Sequence, residues 1–434
     1  KILYLKSIHN MSSGTIMAIA NALVILISYP IYLGFVGYEA FGVWSIMLAI
    51  ISMSAVLGLN IDRSIIKFVA QCKTNNEVKK YITGSILISI LASLIFWLFL
   101  YNLHDFVIEI YAMDRKYSSV VKDILSNIAL LTMSVYVVNI LKGALTGLSE
   151  IAKANYLFII GEVIKALTAM SLLWLEFGLQ SFVYGWIAGN LTLIVIYAYC
   201  LKKINGRILL FNFNLFKILK EIITYGRPLV FNNLIGLLFV PIITFIIARY
   251  VGLSEVAYYN IASRISSNIN VLFSRGVIGL MPEISKAGLI RDRLSRIFKI
   301  KELHSQAIKY VLYFGVPLIV LIFGLSESIL LIWLSEMYNE NINETLQLLL
   351  IATLLDILII PTLNILFGLG ETNKILHYGL IRVTILFLGL GYIKFNSLVI
   401  GLNNIAILII ISSFVSALYF IFTYYKLTKT SRIL

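Results

Sequence analysis

The 434-residue chain is 60% hydrophobic and only 13% charged, whereas a soluble globular protein is about 45–50% apolar and about 25% charged. With a mean hydropathy of +0.94, this composition places the chain in a membrane and excludes a cytosolic enzyme, a DNA-binding domain and a disordered scaffold. The formal net charge is +14, and in so apolar a chain its meaning depends on where the basic residues sit.

A transmembrane helix needs about 20 mostly apolar residues. In chain order, such stretches fall at 12–33, 42–60, 82–101, 124–147, 152–174, 182–200, 229–249, 257–280, 306–325, 346–368, 375–392 and 402–423. The first is too long for a removable signal peptide and lacks its cleavage pattern. No connecting segment is long enough for a soluble domain. Of the 35 basic residues, 25 fall in segments on one side of this twelve-span path. Five fall on the other side (Arg115, Lys116, Lys122, Arg249 and Lys394) and five lie within spans. Segment 326–345 carries four glutamates and no basic residue. The positive-inside rule then puts both termini in the cytoplasm and accounts for the basic balance without nucleic acid.

Cys72 and Cys200 allow at most one disulfide. Histidines 9, 104, 304 and 377 share no metal-ligand spacing. No metalloprotease, P-loop, nucleophile-elbow or dinucleotide motif occurs. The expectation is a protein that is not an enzyme and needs no cofactor beyond a transported proton or sodium ion.

Two segments on the basic side look more than connective. Residues 209–223 set Leu215, Ile218, Leu219 and Ile222 at helical spacing, with Lys217, Lys220 and Glu221 opposite. That is the pattern of an amphipathic helix lying on the inner leaflet. Residues 289–301 read similarly, or as a solvated basic loop.

The chain also repeats itself. VGYEAFGVW (36–44) matches VGLSEVAYY (251–259), and LTGLSEIAK (145–153) matches LFGLGETNK (366–374), each offset by about half the chain. Six spans per half make both halves enter from the same side, so the pseudo-symmetry axis runs along the membrane normal. The expected architecture is all-α: two pseudo-symmetric six-helix lobes, 1–204 and 228–434, joined by a cytoplasmic amphipathic linker at 205–227. A substrate site would lie between the lobes.

These motifs, with LGLNIDRSIIKFVAQ (57–71), YGRPLVFNN (225–233) and the continuation VGLSEVAYYNIASRISS (251–267), resemble the polysaccharide-flippase branch of the multidrug/oligosaccharidyl-lipid/polysaccharide transporter superfamily. The resemblance covers the whole chain. It implies a two-lobed flippase that moves undecaprenyl-diphosphate-linked oligosaccharide (a repeat unit of O-antigen, capsule or exopolysaccharide) outward across the cytoplasmic membrane. Its partners would be that lipid-linked glycan, membrane lipid and glycan polymerase machinery. Two rivals stand beside it: an ion-coupled multidrug exporter of the same fold, and a polytopic glycan polymerase or ligase. The second should carry a large outer loop, yet 102–123 and 326–345 are only about 20 residues each.

Ionisable groups inside spans are costly and usually face a cavity or a partner. Span 8 is the most polar, carrying Asn260, Ser263, Arg264, Ser266, Ser267, Asn268, Asn270, Ser274 and Arg275. Arg264 and Arg275 lie about 16 Å apart on one helix face, with Asn268 between them. Guanidinium binds phosphate oxygens bidentately and stays charged, so this ladder suits a diphosphate. The competing reading is that each arginine snorkels to its nearer interface. Arg63 and Lys67, one turn apart at the inner end of span 2, are a second candidate pair or ordinary anchors. Arg249 could complete a cationic cavity or anchor the outer end of span 7. Lys142 reads as a snorkelling residue. Glu162 and Lys165 can neutralise each other at i,i+3. Asp356, with no partner in its own helix, is the leading candidate for ion coupling and Glu162 the second; pairing of Asp356 with Arg382 would make both structural. Gly185 and Gly189 form a close-packing motif in span 6.

Glu336→Cys and Asn339→Cys should label from outside intact cells with an impermeant thiol reagent, and Asn75→Cys should not. Labelling of the 326–345 segment only after permeabilisation would reverse the orientation.

Overall fold

The computed structural model describes residues 2–57, 61–206, 215–278, 281–288, 290–369, 371–397 and 399–429. Within the helices, the side chains of Asp62, Arg115, Arg227, Arg275 and Lys286 lie outside that description. The described residues are almost entirely helical and contain no strand. A backbone crossing lipid must satisfy its own hydrogen bonds, and the α-helix does so within one segment.

The described residues of the expected spans fall almost wholly on helices; 58–60 and 279–280 lie outside the described residues. The first two form α1 (Ile2–Leu57), broken at Gly37, whose φ of 74° is left-handed. Glycine alone adopts that conformation without Cβ strain, so the chain turns there between two crossings. Next come α2 (Ile61–Gln71), α3 (Asn75–Asn102), α4 (His104–Ile110), α5 (Arg115–Ser126), α6 (Ile128–Gly147), α7 (Ile151–Trp174) and α8 (Gln180–Asn205). Then follow α9 (Leu215–Tyr250), α10 (Leu253–Ile278), α11 (Met281–Gly288), α12 (Arg293–Tyr310) and α13 (Val316–Gly324), with a π-helical turn at Val311–Gly315 between the last two. The series ends with α14 (Ser326–Leu334), α15 (Glu340–Gly368), α16 (Thr372–Phe395) and α17 (Leu402–Thr428). Nine helices among the described residues are long and apolar enough to cross a membrane, with the two crossings of α1 counted together. On α9 the described residues add a shorter apolar stretch at Leu238–Tyr250, and α10 is more polar.

The chain divides into two compact units, Lys1–Val256 and Ala257–Leu434. In the first unit α7 and α8 pack most extensively, and the reason is glycine. A Cβ on Gly189 would lie 2.7 Å from the Gly161 carbonyl oxygen and 2.8 Å from Lys165 Cβ. One on Gly185 would lie 2.7 Å from the Lys165 carbonyl oxygen. Lipid offers no hydrophobic drive between helices, so close backbone approach and polar ties hold the pair. The ties are Tyr197 Oη donating to the Ala154 carbonyl (2.8 Å), Asn190 to Ser134 (2.9 Å) and Asn155 to Ser13 (3.0 Å).

The amphipathic segment expected on the lipid surface is described only from Leu215 onward, where it runs directly into α9. Its apolar residues Ile218 and Ile222 are buried in a cluster with residues of α2, α3, α6 and α8. Ile218 fills the space beside Gly84, and Tyr81 Oη donates to Glu221 at 2.6 Å. The apolar face of this stretch has protein as its partner, and Lys217 and Lys220 are exposed. The repeat assigns α9 to the second half of the chain, yet it belongs to the first compact unit.

In the second unit α15 packs against both α17 and α16. Leu366, Phe420 and Ala417 form one buried cluster there. Ile300 and Leu303 of α12 join Ile284 and Ala287 of α11 and Ile365 of α15 in another. The expected outer loops are not structureless: 102–123 contains α4 and the start of α5, and 326–345 contains the apolar α14.

Gly189→Leu should drive a side chain into α7 and lower stability by about 1–3 kcal/mol or more. Gly391→Leu, at a site with no atom within 4 Å of its Cβ, should be close to neutral. Thermal unfolding of the two purified variants in detergent reads the difference.

Candidate functional site

Helix α10 has two chemically opposite faces. Ala262, Ile269, Phe273 and Val277 are buried on one, with Phe273 against Tyr310 at 5.7 Å between ring centroids. On the opposite face, by helical spacing, stand Asn260, Arg264, Ser267, Asn268 and the backbone position of Arg275. The serines satisfy themselves on their own helix: Ser263 donates to the Asn260 carbonyl, Ser266 to Ser263, Ser267 to Arg264, and Ser274 to Asn270 Oδ1. Arg264 and Asn268 do not. Both are half-buried, and neither side chain has a hydrogen-bond or ion-pair partner among the described residues. The Arg275 side chain lies outside the described residues, so only its place in the helix is known.

In the first unit, α2 buries Ile61, Ser64, Ile65 and Val69 and packs on α6. Arg63 and Lys67 lie one turn apart away from that buried stripe. Arg63 is exposed, and Lys67 Nζ sits 5.4 Å from the Phe68 ring centroid. Arg249 does something more specific than lining a cavity: its guanidinium donates to the Glu109 carbonyl at 3.0 Å, tying the end of α9 to the last turn of α4. Lys142 does not stretch away from the protein. Its Nζ lies 4.0 Å from the Phe158 ring centroid and 3.4 Å from Met17 Sδ, a cation–π contact within the helix bundle.

The two carboxylates inside spans are both paired. Lys165 Nζ meets Glu162 Oε1 at 2.7 Å, and the same ammonium lies 4.7 Å from the Trp186 ring centroid. Arg382 reaches Asp356 Oδ2 at 3.0 Å. Tyr378 donates to Asp356 Oδ1 (3.4 Å) and accepts from Arg382 (3.3 Å), closing a three-residue network between α15 and α16. The sequence marked Arg382 as the alternative partner of Asp356 but missed Tyr378, although its i,i+4 spacing from Arg382 was there to see. Trp186 left no sequence signal, because it reaches Lys165 across the α7–α8 contact. Among the described residues no group of three or more histidine, cysteine, aspartate or glutamate side chains could hold a metal ion.

This geometry belongs to a known lineage. Residues 7–287 match the sequence profile of the family described as "Polysaccharide biosynthesis protein". The chain belongs to that family. Among solved structures it is similar to an inward-facing multidrug-resistance MATE transporter of the MOP superfamily, with 17% identity and a TM-score of 0.73 over 98% of this chain and 96% of that one. It is also similar to the lipid II flippase MurJ in an inward closed conformation, with 16% identity and a TM-score of 0.71 over 98% and 90% of the two chains. A third match is the Vibrio cholerae MATE transporter VcmN, with 15% identity and a TM-score of 0.68 over 97% of each chain. No curated protein matches significantly. The fold is that of the MOP transporters, all-α with multiple apolar helices long enough to cross a membrane. The family relationship adds a role in polysaccharide biosynthesis to that fold.

Removing one partner from a buried ion pair costs about 3–5 kcal/mol, whereas replacing both can be nearly neutral. Arg382→Gln alone should therefore lower the thermal midpoint more than Asp356→Asn with Arg382→Gln. If Asp356 carries a transported ion, the double variant should fold and yet lose gradient-driven transport; if the pair is only structural, the double variant should transport normally.

Proposed function

We propose that the chain is a flippase for polyprenyl-diphosphate-linked oligosaccharide, moving the glycan across the bacterial cytoplasmic membrane by alternating access between two six-helix lobes. The observation that carries this is Arg264. A half-buried guanidinium and its neighbour Asn268 stand in a membrane helix without a protein partner among the described residues. A diphosphate supplies what they lack: fixed negative charge and planar acceptor oxygens matched to guanidinium. Arg275, one polar stripe further along α10, and Arg63 and Lys67 of the first unit would extend the cationic path. The polyprenyl tail would stay in lipid. Arg249, already bound to Glu109, would act at the outer rim.

The multidrug-exporter reading needs acidic groups to receive an organic cation. Within the twelve spans the sequence holds only Glu162 and Asp356, and each already faces a basic side chain. That favours an anionic substrate. Coupling to a proton or sodium ion would have to break one of these pairs. The substrate glycan would then pass to polymerase machinery on the far side.

Arg264→Ala should reduce surface glycan display with the protein still in the membrane. A charge-assisted hydrogen bond is worth about 1.5–3 kcal/mol, so the loss should be about tenfold or more. Arg275→Ala should do the same. Lys at either site should rescue only in part, because a point charge replaces a bidentate one. Arg432→Ala, in the tail, should be silent. Normal display in both alanine variants would leave these arginines as snorkelling anchors and defeat the proposal.

A further inference from the structure

Away from α10, the first unit holds a pocket of about 390 Å³ between the end of α2, the start of α3 and the first turns of α9. Its apolar floor is Ile218, which is buried and packs where Gly84 leaves room. One wall is aromatic: the Phe68 and Tyr81 rings lie parallel, 4.9 Å between centroids. Two carboxylates are fixed there by neutral donors, Glu221 by the Tyr81 hydroxyl (2.6 Å) and Glu77 by the Lys73 amide (2.8 Å). Each keeps acceptor capacity to spare. Lys80, half-buried, and Gln71 also line the pocket, and neither side chain has a hydrogen-bond or ion-pair partner among the described residues. Lys217 adds a second ammonium group.

That lining selects by chemistry. Two ammonium groups and two carboxylates leave no surplus charge: a free phosphate would meet Glu77 and Glu221, and an organic cation would meet Lys80 and Lys217. A saccharide hydroxyl both donates and accepts, which is what carboxylate, ammonium and carboxamide side by side require. The aromatic wall suits the carbon face of a sugar ring. Depth agrees. Lys80 is two residues outside the expected third span and Glu221 eight outside the seventh, about 3 and 12 Å along a helix. The polar layer on each face of a bilayer is about 5–7 Å thick, so the pocket runs from headgroup level into water. A lipid-linked glycan puts its diphosphate in that layer and its sugars just beyond, whereas acyl chains stop short of it. The profile of the polysaccharide-biosynthesis family spans all of these residues.

We propose that this pocket is a saccharide subsite on the basic side of the membrane, holding sugars of the lipid-linked glycan before transport. It rests on the flippase reading but uses none of the α10 residues. The test uses the full chain in cells that make their own glycan, with Gln71→p-benzoylphenylalanine as a photo-crosslinker. After irradiation, mass spectrometry of the digested protein should find a saccharide-bearing peptide at position 71. The same photo-crosslinker in place of Lys203, exposed on the same side and outside the pocket, should give none. Lys80→Met should lower the yield at 71, per molecule of protein in the membrane, about tenfold, as expected for one charge-assisted hydrogen bond. Asn268→p-benzoylphenylalanine on α10 separates the two ideas. Glycan captured at 268 and not at 71 overturns the subsite and leaves the flippase; capture at neither overturns both. Capture of phospholipid alone at 71, equal glycan capture at 71 and 203, or a yield indifferent to Lys80→Met would also overturn the subsite.

Discussion

A charge inside a bilayer must meet an opposite charge, a fixed dipole or water, and most of this protein's polar design answers that demand. Glu162 and Lys165 meet it within one turn of α7, with the ammonium shielded further by Trp186. Asp356 and Arg382 meet it between two helices, with Tyr378 bonded to both. The serines of α10 fold back onto their own carbonyls. Against this background of local neutralisation, Arg264 and Asn268 stand apart.

The same constraint shapes the packing. Since lipid tails are as apolar as leucine, helices adhere through close contact rather than exclusion of water. Gly161, Gly185 and Gly189 bring the α7 and α8 backbones together where Lys165 must be covered, so the close contact and the buried ion pair support each other. The first turns of α9 are fixed to α2, α3, α6 and α8 of the first unit by Ile218, Ile222 and the Tyr81–Glu221 bond. The end of α9 is fixed by Arg249 to α4. Both ends of α9 are therefore fastened within the same compact unit, although the repeat counts it as the opening helix of the second half.

What the sequence made legible follows from the length scale of each signal. The apolar stretches were visible because a bilayer imposes about 20 residues of apolarity on every crossing, and their described residues are helical. Polar α10 was visible for the opposite reason, since arginine and asparagine stand out in an apolar chain. Contacts that depend on three-dimensional neighbours were not legible. Nothing in the spacing of Lys142 foretold Phe158 and Met17, and the backbone oxygen bound by Arg249 leaves no trace in side-chain identity. Segment 209–223 shows the limit of periodicity: an amphipathic stripe says that one face is covered, not whether lipid or protein covers it. Ile218, Leu219 and Ile222 of that stripe are covered by protein. The stripe at 294–298 has the same periodicity and a different outcome, because Leu294 and Phe298 remain exposed.

Charge bookkeeping also bears on what such a fold can carry. The neighbours in fold include multidrug transporters and a lipid II flippase, so architecture alone does not choose between a cationic and an anionic cargo. The choice lies in which sign of charge is left over after internal pairing. In this chain the span carboxylates are met by Lys165 and Arg382, and Arg264 has neither a hydrogen-bond nor an ion-pair partner among the described residues. On the proposed reading, a site built around that guanidinium would repel an organic cation and attract a diphosphate. Reversing the cargo would require freeing Glu162 or Asp356, and each would leave behind a buried, uncompensated base.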